Sequence, residues 1–124
     1  MEFQILTINP GSTSTKIAVF ANEREVFSKT LRHSAQELSV FPTVASQFQF
    51  RKKMILSTLQ QEGFDVYQLH AIVGRGGLVK PIESGIYEVD EALAYDLEYP
   101  IMGEHASNLG GLIARDIVKE LANR

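Results

Sequence analysis

Two apolar runs, Ile5-Leu6-Thr7-Ile8 and Ile17-Ala18-Val19-Phe20, flank a polar centre rich in Gly, Ser and Thr. β-Branched and aromatic residues suit a half-buried pleated surface, which predicts strands over residues 5–9 and 15–21. Pro10-Gly11 brings the fixed φ and the permissive φ that a reversal between them needs. After a short turn at Ala21-Asn22-Glu23, residues 25–32 read as a third strand of mixed polarity, at a sheet edge. A loop through Ser34, Glu37 and Pro42 follows. From Thr43 onward Val44, Phe48, Ile55 and Leu59 share one helical face, with Gly63 as the residue just past the helix end. Arg51-Lys52-Lys53 reads as the solvated side of that helix.

Residues 69–74 form a continuous apolar run, the pattern of a buried central strand. The run ends in Arg75-Gly76-Gly77, where backbone can approach a ligand closely. Residues 81–85 read as a turn and 86–89 as a short extended piece. Asp90 is placed to cap a short helix reaching about Tyr95, and residues 99–108 read as a loop. A last helix carries Leu109, Leu112, Ile113, Ile117 and Leu121 along one face.

At 124 residues the chain is the size of one domain with a real core. Its net charge of −3 gives no electrostatic case for nucleic acid or an anionic membrane as partner. Cysteine is absent, which removes disulfides, thiolate metal sites and a cysteine nucleophile and suits a reducing cytosol. No basic leader and no apolar run of membrane-spanning length is present, so the expectation is a cytoplasmic chain.

The hairpin tip is the first candidate for chemistry. Hydroxyls and free N–H groups at 9–16 can meet a phosphate from several directions, and Lys16 adds positive charge. A P-loop would need a second glycine directly before the lysine. A dinucleotide fingerprint would need a helix after the turn, where this chain continues as a strand. Gly74-Arg75-Gly76-Gly77 fails that fingerprint too, since Val79 occupies its third glycine position. A purely polar turn is the competing reading of motif shape alone. His33, His70 and His105 form no ligand-spaced cluster, so no protein-built metal site is expected. Glu83, Glu88, Asp90, Glu91 and Glu104 read as caps or solvated loop charges. A nuclease built on such strands would want acidic metal ligands on its first strand, where Thr7 and Asn9 stand.

The order strand, strand, strand, helix, strand, helix resembles the ribonuclease-H-like α/β core, with a mixed sheet. That core is shared by acetate and sugar kinases, actin-like ATPases and heat-shock chaperone ATPases. The likeness implies a fifth strand after the last helix, so the chain reads as a domain truncated before that strand. Asn9-Pro10-Gly11-Ser12-Thr13-Ser14-Thr15-Lys16 is similar to the opening Asn-x-Gly-Ser-x-Ser-x-Lys motif of the acetate/butyrate kinase family. The run from Ala71 through Gly74-Arg75-Gly76-Gly77 to Ile82 looks like the butyrate branch in particular. Acetate kinases read His-Gly-Gly in place of Arg75-Gly76-Gly77, with an arginine where this chain has Ile72. His105-Ala106-Ser107-Asn108-Leu109 resembles the family's His-Asn-Pro-Ala-Asn segment.

The resemblance implies an ATP- and Mg²⁺-dependent transfer of phosphoryl to butyrate or a similar short-chain carboxylate, giving an acyl phosphate and ADP. It also implies a full-length protein that is a homo-oligomer. Asn9, Arg75 and His105 are then the catalytic candidates, and Gly11, Ser12, Thr13, Ser14 and Lys16 the phosphate-binding ones. Asn9, Ser12, Ser14 and the backbone of Gly11 and Thr13 would hold phosphoryl oxygens, with Lys16 supplying structure or long-range charge. Arg75 would grip a carboxylate or phosphoryl group with its planar fork, and His105 would donate to the transferring phosphoryl. The remaining adenosine-binding and acidic parts would lie beyond Arg124, leaving these residues alone inactive. Two other readings stay open: a non-catalytic nucleotide-binding module, and a partner-binding domain whose open sheet edge another chain covers.

Overall fold

The computed structural model describes residues 2–76, 85–99 and 105–122. β1 (Gln4–Pro10) and β2 (Ser14–Ala21) form the expected hairpin, and β3 (Arg24–Arg32) adds to it antiparallel. β4 (Ala71–Gly74) returns parallel to β1, with Ile8 opposite Gly74, so the sheet order is β3-β2-β1-β4 and the sheet is mixed. Asn22 turns the chain from β2 into β3 with φ of 55°, a left-handed conformation that its short polar side chain tolerates. Its carboxamide oxygen also accepts from the Phe3 N–H at 2.9 Å, tying down the start of β1.

One face of the sheet carries Leu6, Ile8, Ile17, Val19 and Leu31, all buried. Helices α2 (Phe48–Gln61) and α4 (Asn108–Ala122) cover it with Ile55 and Leu59 from the first and Leu109, Ile113 and Ile117 from the second. Each such side chain contributes about 1.5–3 kcal/mol relative to exposure, so this layer is the main source of stability. α2 ends as expected at Gly63, whose φ is 82°. The Phe64 N–H reaches the Leu59 carbonyl at 2.8 Å and the Gly63 N–H the Gln60 carbonyl at 3.1 Å, a Schellman pair that seats Phe64 against the core.

The loop expected through Ser34 holds a short helix α1 (Ala35–Leu38) instead. Ser34 and Glu37 build a reciprocal capping box, the side chain of each accepting the other's N–H at 3.0 and 2.9 Å. The helix expected from Thr43 opens with a 3₁₀ turn at Ala45–Gln47, and a second such turn spans Val66–Gln68. The expected solvated run divides: Arg51 is 0% and Lys52 5% exposed, while Lys53 lies in solvent. Burial is possible because each finds partners, Arg51 on the hairpin and Lys52 on Asp116 and Glu120 of α4.

β4 is not the central strand its apolar run suggested. It is the edge of the sheet among the described residues, with Ile72 and Gly74 half-buried and Ala71 and Val73 exposed. Ile72 packs on the core, while Val73, one residue on, turns to the opposite face and is exposed. Residues 86–89 join no strand. α3 (Glu91–Glu98) is capped by Asp90, which accepts from the Leu93 N–H at 2.9 Å, and runs three residues past the expected end. Asn108, expected in a loop, opens α4. Residues 77–84, covering most of the expected glycine-rich end and turn, and 100–104 lie outside the described residues.

Candidate active site at the hairpin tip

The hairpin register places Pro10 opposite Thr15 and Asn9 opposite Lys16, so Asn9 and Lys16 stand side by side on one face. Between them the tip is closed by the Gly11 N–H donating to the Ser14 carbonyl at 2.7 Å. The tip's polarity is sorted. All four carbonyl oxygens of residues 11–14 are occupied: those of Gly11, Ser12 and Ser14 by Arg51 at 2.7, 3.1 and 2.9 Å, and that of Thr13 by the His33 N–H at 2.8 Å. The N–H groups of Ser12 and Thr13, by contrast, have no acceptor among the described residues, and both residues are exposed. Acceptors point inward and donors are left over, the arrangement an anion requires.

Beneath the tip lies a buried polar network. Arg51 Nε and Nη2 donate to Gln47 Oε1 at 3.1 and 2.9 Å, one helical turn back, and Nη1 donates to Thr15 Oγ1 at 3.2 Å. Thr15 Oγ1 is 2.8 Å from His33 Nε2. The hydroxyl, which also accepts from Arg51, thus joins the imidazole to the same network. Burial first, and the Arg51 charge second, push the His33 pKa below its ordinary value, with Glu37 opposing. The ring packs edge-on against Phe50 at a centroid distance of 5.3 Å, and its buried Nδ1 has no partner among the described residues. Burial also lowers the Arg51 pKa, but a guanidinium keeps its charge.

A second group of candidates meets the hairpin from the side of β4. The Arg75 N–H donates to the Ile8 carbonyl at 2.9 Å, so Arg75 leaves the sheet beside Asn9, at the carboxyl ends of two parallel strands. The first turn of α4 packs backbone to backbone there. A Cβ on Gly74 would lie 2.2 Å from the Gly110 carbonyl carbon, and one on Gly110 would lie 2.9 Å from Arg75 O and 3.2 Å from Pro10 Cδ. Glycine at these positions lets the start of α4 reach both strand ends. His105 lies just before that helix: its carbonyl accepts from the Asn108 N–H at 2.9 Å, and its Nδ1 accepts from the Ser107 N–H at 3.0 Å. With Nδ1 an acceptor, the neutral ring carries its proton on Nε2, which leaves Nε2 a donor.

The structure thus brings Asn9, Gly11, Ser12, Thr13, Ser14 and Lys16 together on one hairpin, with the Arg75 backbone bonded alongside and His105 at the start of the helix packed there. Arg75 also lines a groove of about 910 Å³ with Ile72, Val73, Leu93, Leu97 and Arg115. Sequence reasoning missed Arg51, Gln47, Thr15 and His33. Among the described residues no group of three His, Asp or Glu side chains could hold a metal ion, and no helix is long and apolar enough to cross a membrane.

No family model matches the chain. Individual relatives do. Butyrate kinase 2 of Clostridium acetobutylicum is 55% identical over 119 residues, which is 96% of this chain and 33% of the relative. A probable butyrate kinase of Clostridium botulinum is 53% identical over 121 residues, covering 98% of this chain and 34% of its own length. A probable butyrate kinase of Listeria monocytogenes is 48% identical over the same shares. The chain therefore spans about a third of the length of the curated relatives it matches. Over nearly all of its residues, this chain is a homologue of the butyrate kinases.

Proposed function

We propose that the chain is the N-terminal part of an acyl kinase that transfers the γ-phosphoryl of ATP reversibly to butyrate or a similar short-chain carboxylate. The fold on this reading is the actin-like ATPase core, present here as an incomplete domain. The observation that carries it is the sorted hairpin tip, with carbonyls satisfied from inside and the Ser12 and Thr13 N–H groups left over, in a chain homologous to butyrate kinases. Transfer between two anions needs fixed donors and positive charge around the phosphoryl oxygens, already oriented before reaction. Those two N–H groups, the side chains of Asn9, Ser12 and Ser14, and the Lys16 charge fill that role. Mg²⁺ carried in with ATP would neutralise phosphate charge.

Arg75 stands beside the hairpin and at the wall of an apolar groove. A planar cation against aliphatic side chains matches a short acid: the guanidinium takes the carboxylate, the groove the alkyl tail. His105 Nε2 donates to the transferring phosphoryl group. The enzyme is cytoplasmic and homo-oligomeric on this reading, and the rest of its site lies outside these residues.

The test is acyl phosphate formation by the full-length protein, trapped as hydroxamate. With ATP and butyrate the wild type forms it, and Asn9→Ala lowers kcat/KM about 10²–10³-fold, the usual cost of a lost oxyanion donor. The isolated 124-residue chain forms none. A full-length protein inactive on every short carboxylate overturns the reading, and robust turnover by the isolated chain overturns the incomplete-domain part of it.

A further inference from the structure

Arg51 is fully buried, yet no carboxylate among the described residues neutralises it. Its donors are spent instead on three carbonyls of the hairpin tip, on Thr15 Oγ1 and on Gln47 Oε1. Burying a guanidinium without a counterion is costly, and packing alone would be served by leucine or methionine. What the charge does here is specific. It reaches 36 to 40 residues back along the chain to the segment that the site reading requires to be rigid.

We propose that Arg51 is a positioning residue for phosphoryl transfer: it holds the carbonyl oxygens of Gly11, Ser12 and Ser14 turned inward, so that the N–H groups of Ser12 and Thr13 are fixed outward toward the phosphoryl oxygens. The inference rests on the reading of the hairpin as the phosphoryl site. Without Arg51 the same peptide units are free to rotate, and a carbonyl oxygen turned outward repels the anion that an N–H would attract. The buried charge acts in the same direction as Lys16, with little screening from water. Gln47 belongs to the device, because its carboxamide oxygen takes Nε and Nη2 and so sets the plane of the fork. Lysine cannot replace the fork: one nitrogen with three donors does not span Gln47 on one side and three carbonyls on the other.

The experiment measures steady-state acyl phosphate formation by the full-length protein and its variants, with thermal melts beside it. Arg51→Lys lowers kcat/KM for ATP roughly tenfold to 10²-fold, the scale on which misplaced groups act, and leaves the KM for the carboxylate unchanged. Arg51→Ala recovers part of its ATP-dependent rate with methylguanidinium and none with methylammonium. Gln47→Met, which keeps Arg51 but frees the fork, shows the same ATP-selective change at smaller size and decides the matter if neither Arg51 variant folds. Folded variants with wild-type kinetics overturn the inference. So does a lower melting temperature with both KM values and kcat per folded molecule unchanged, since that describes a scaffold residue only. A wild-type protein that makes no acyl phosphate removes the hairpin reading and this inference with it, an outcome distinct from the other two.

Discussion

Gly74→Ala tests the packing that brings the site together. The added methyl would sit 2.2 and 2.3 Å from the carbonyl carbon and oxygen of Gly110 and 2.5 Å from the Gly111 nitrogen. All three atoms are helix backbone, so no side chain can swing away, and α4 must retreat by roughly 1 Å to restore ordinary contact. Such a gap forfeits about a quarter to a half of the dispersion energy across the layer. Leu109, Ile113 and Ile117 are at most 1% exposed in that layer. At about 1.5–3 kcal/mol each, the loss comes to about 2–3 kcal/mol, within the usual range for overpacking. Alanine's smaller unfolded-state entropy opposes this by only about 0.4–1 kcal/mol. Thermal unfolding should therefore fall by about 4–8 °C. Gly76→Ala is the control, because a Cβ there meets nothing within 4 Å among the described residues, and it should change stability by less than about 0.5 kcal/mol. Equal melting temperatures for Gly74→Ala and wild type would refute the backbone-to-backbone contact and the placement of Arg75 that depends on it.

Two further outcomes follow from buried charge. The His33 pKa is lowered by burial and by Arg51, with Glu37 acting the other way, so the unfolded chain binds this proton more readily than the folded one. His33 then favours unfolding as pH falls below its ordinary value near 6.5, and His33→Gln should flatten that part of a stability-versus-pH curve measured by denaturant unfolding; an unchanged slope would count against a neutral buried ring. Lys52 is desolvated, which alone would lower its pKa, but Asp116 and Glu120 outweigh this and raise it. Its stabilising contribution is therefore present below the ordinary lysine range and lost as pH rises through the raised value. Lys52→Met should cost about 1–2 kcal/mol, between exposed and fully buried pairs because both carboxylates remain partly hydrated. Denaturant melts at neutral pH check this, and stability equal to wild type would show that the α2–α4 bridge contributes nothing.

Local pattern carried the hairpin, the Gly63 stop, the Asp90 cap and the apolar face of α4, because each of these is decided by residues within one turn or one strand pair. The sheet position of β4 was not decided locally. An apolar run of strand length fits any half-covered strand, and only the third dimension shows that Ile72 meets the core while Val73 does not. The Ser34 helix is a different case: its Ser-x-x-Glu capping box was in plain view, but too few apolar residues follow to give a period. Arg51 teaches most about the site. Read as a run, Arg51-Lys52-Lys53 looks like one solvated patch; read at about 100° per residue, it comes apart. Arg51 and Lys52 flank the line of Phe48, Ile55 and Leu59, and Lys53 falls about 140° from Phe48. That phase separates the two buried cations from the exposed one. A cation in phase with an apolar helix face must find polar partners inside the fold. The candidates are the carbonyls of whichever tight turn lies against that face, and here that turn is the hairpin whose donors were the first sign of a phosphate site.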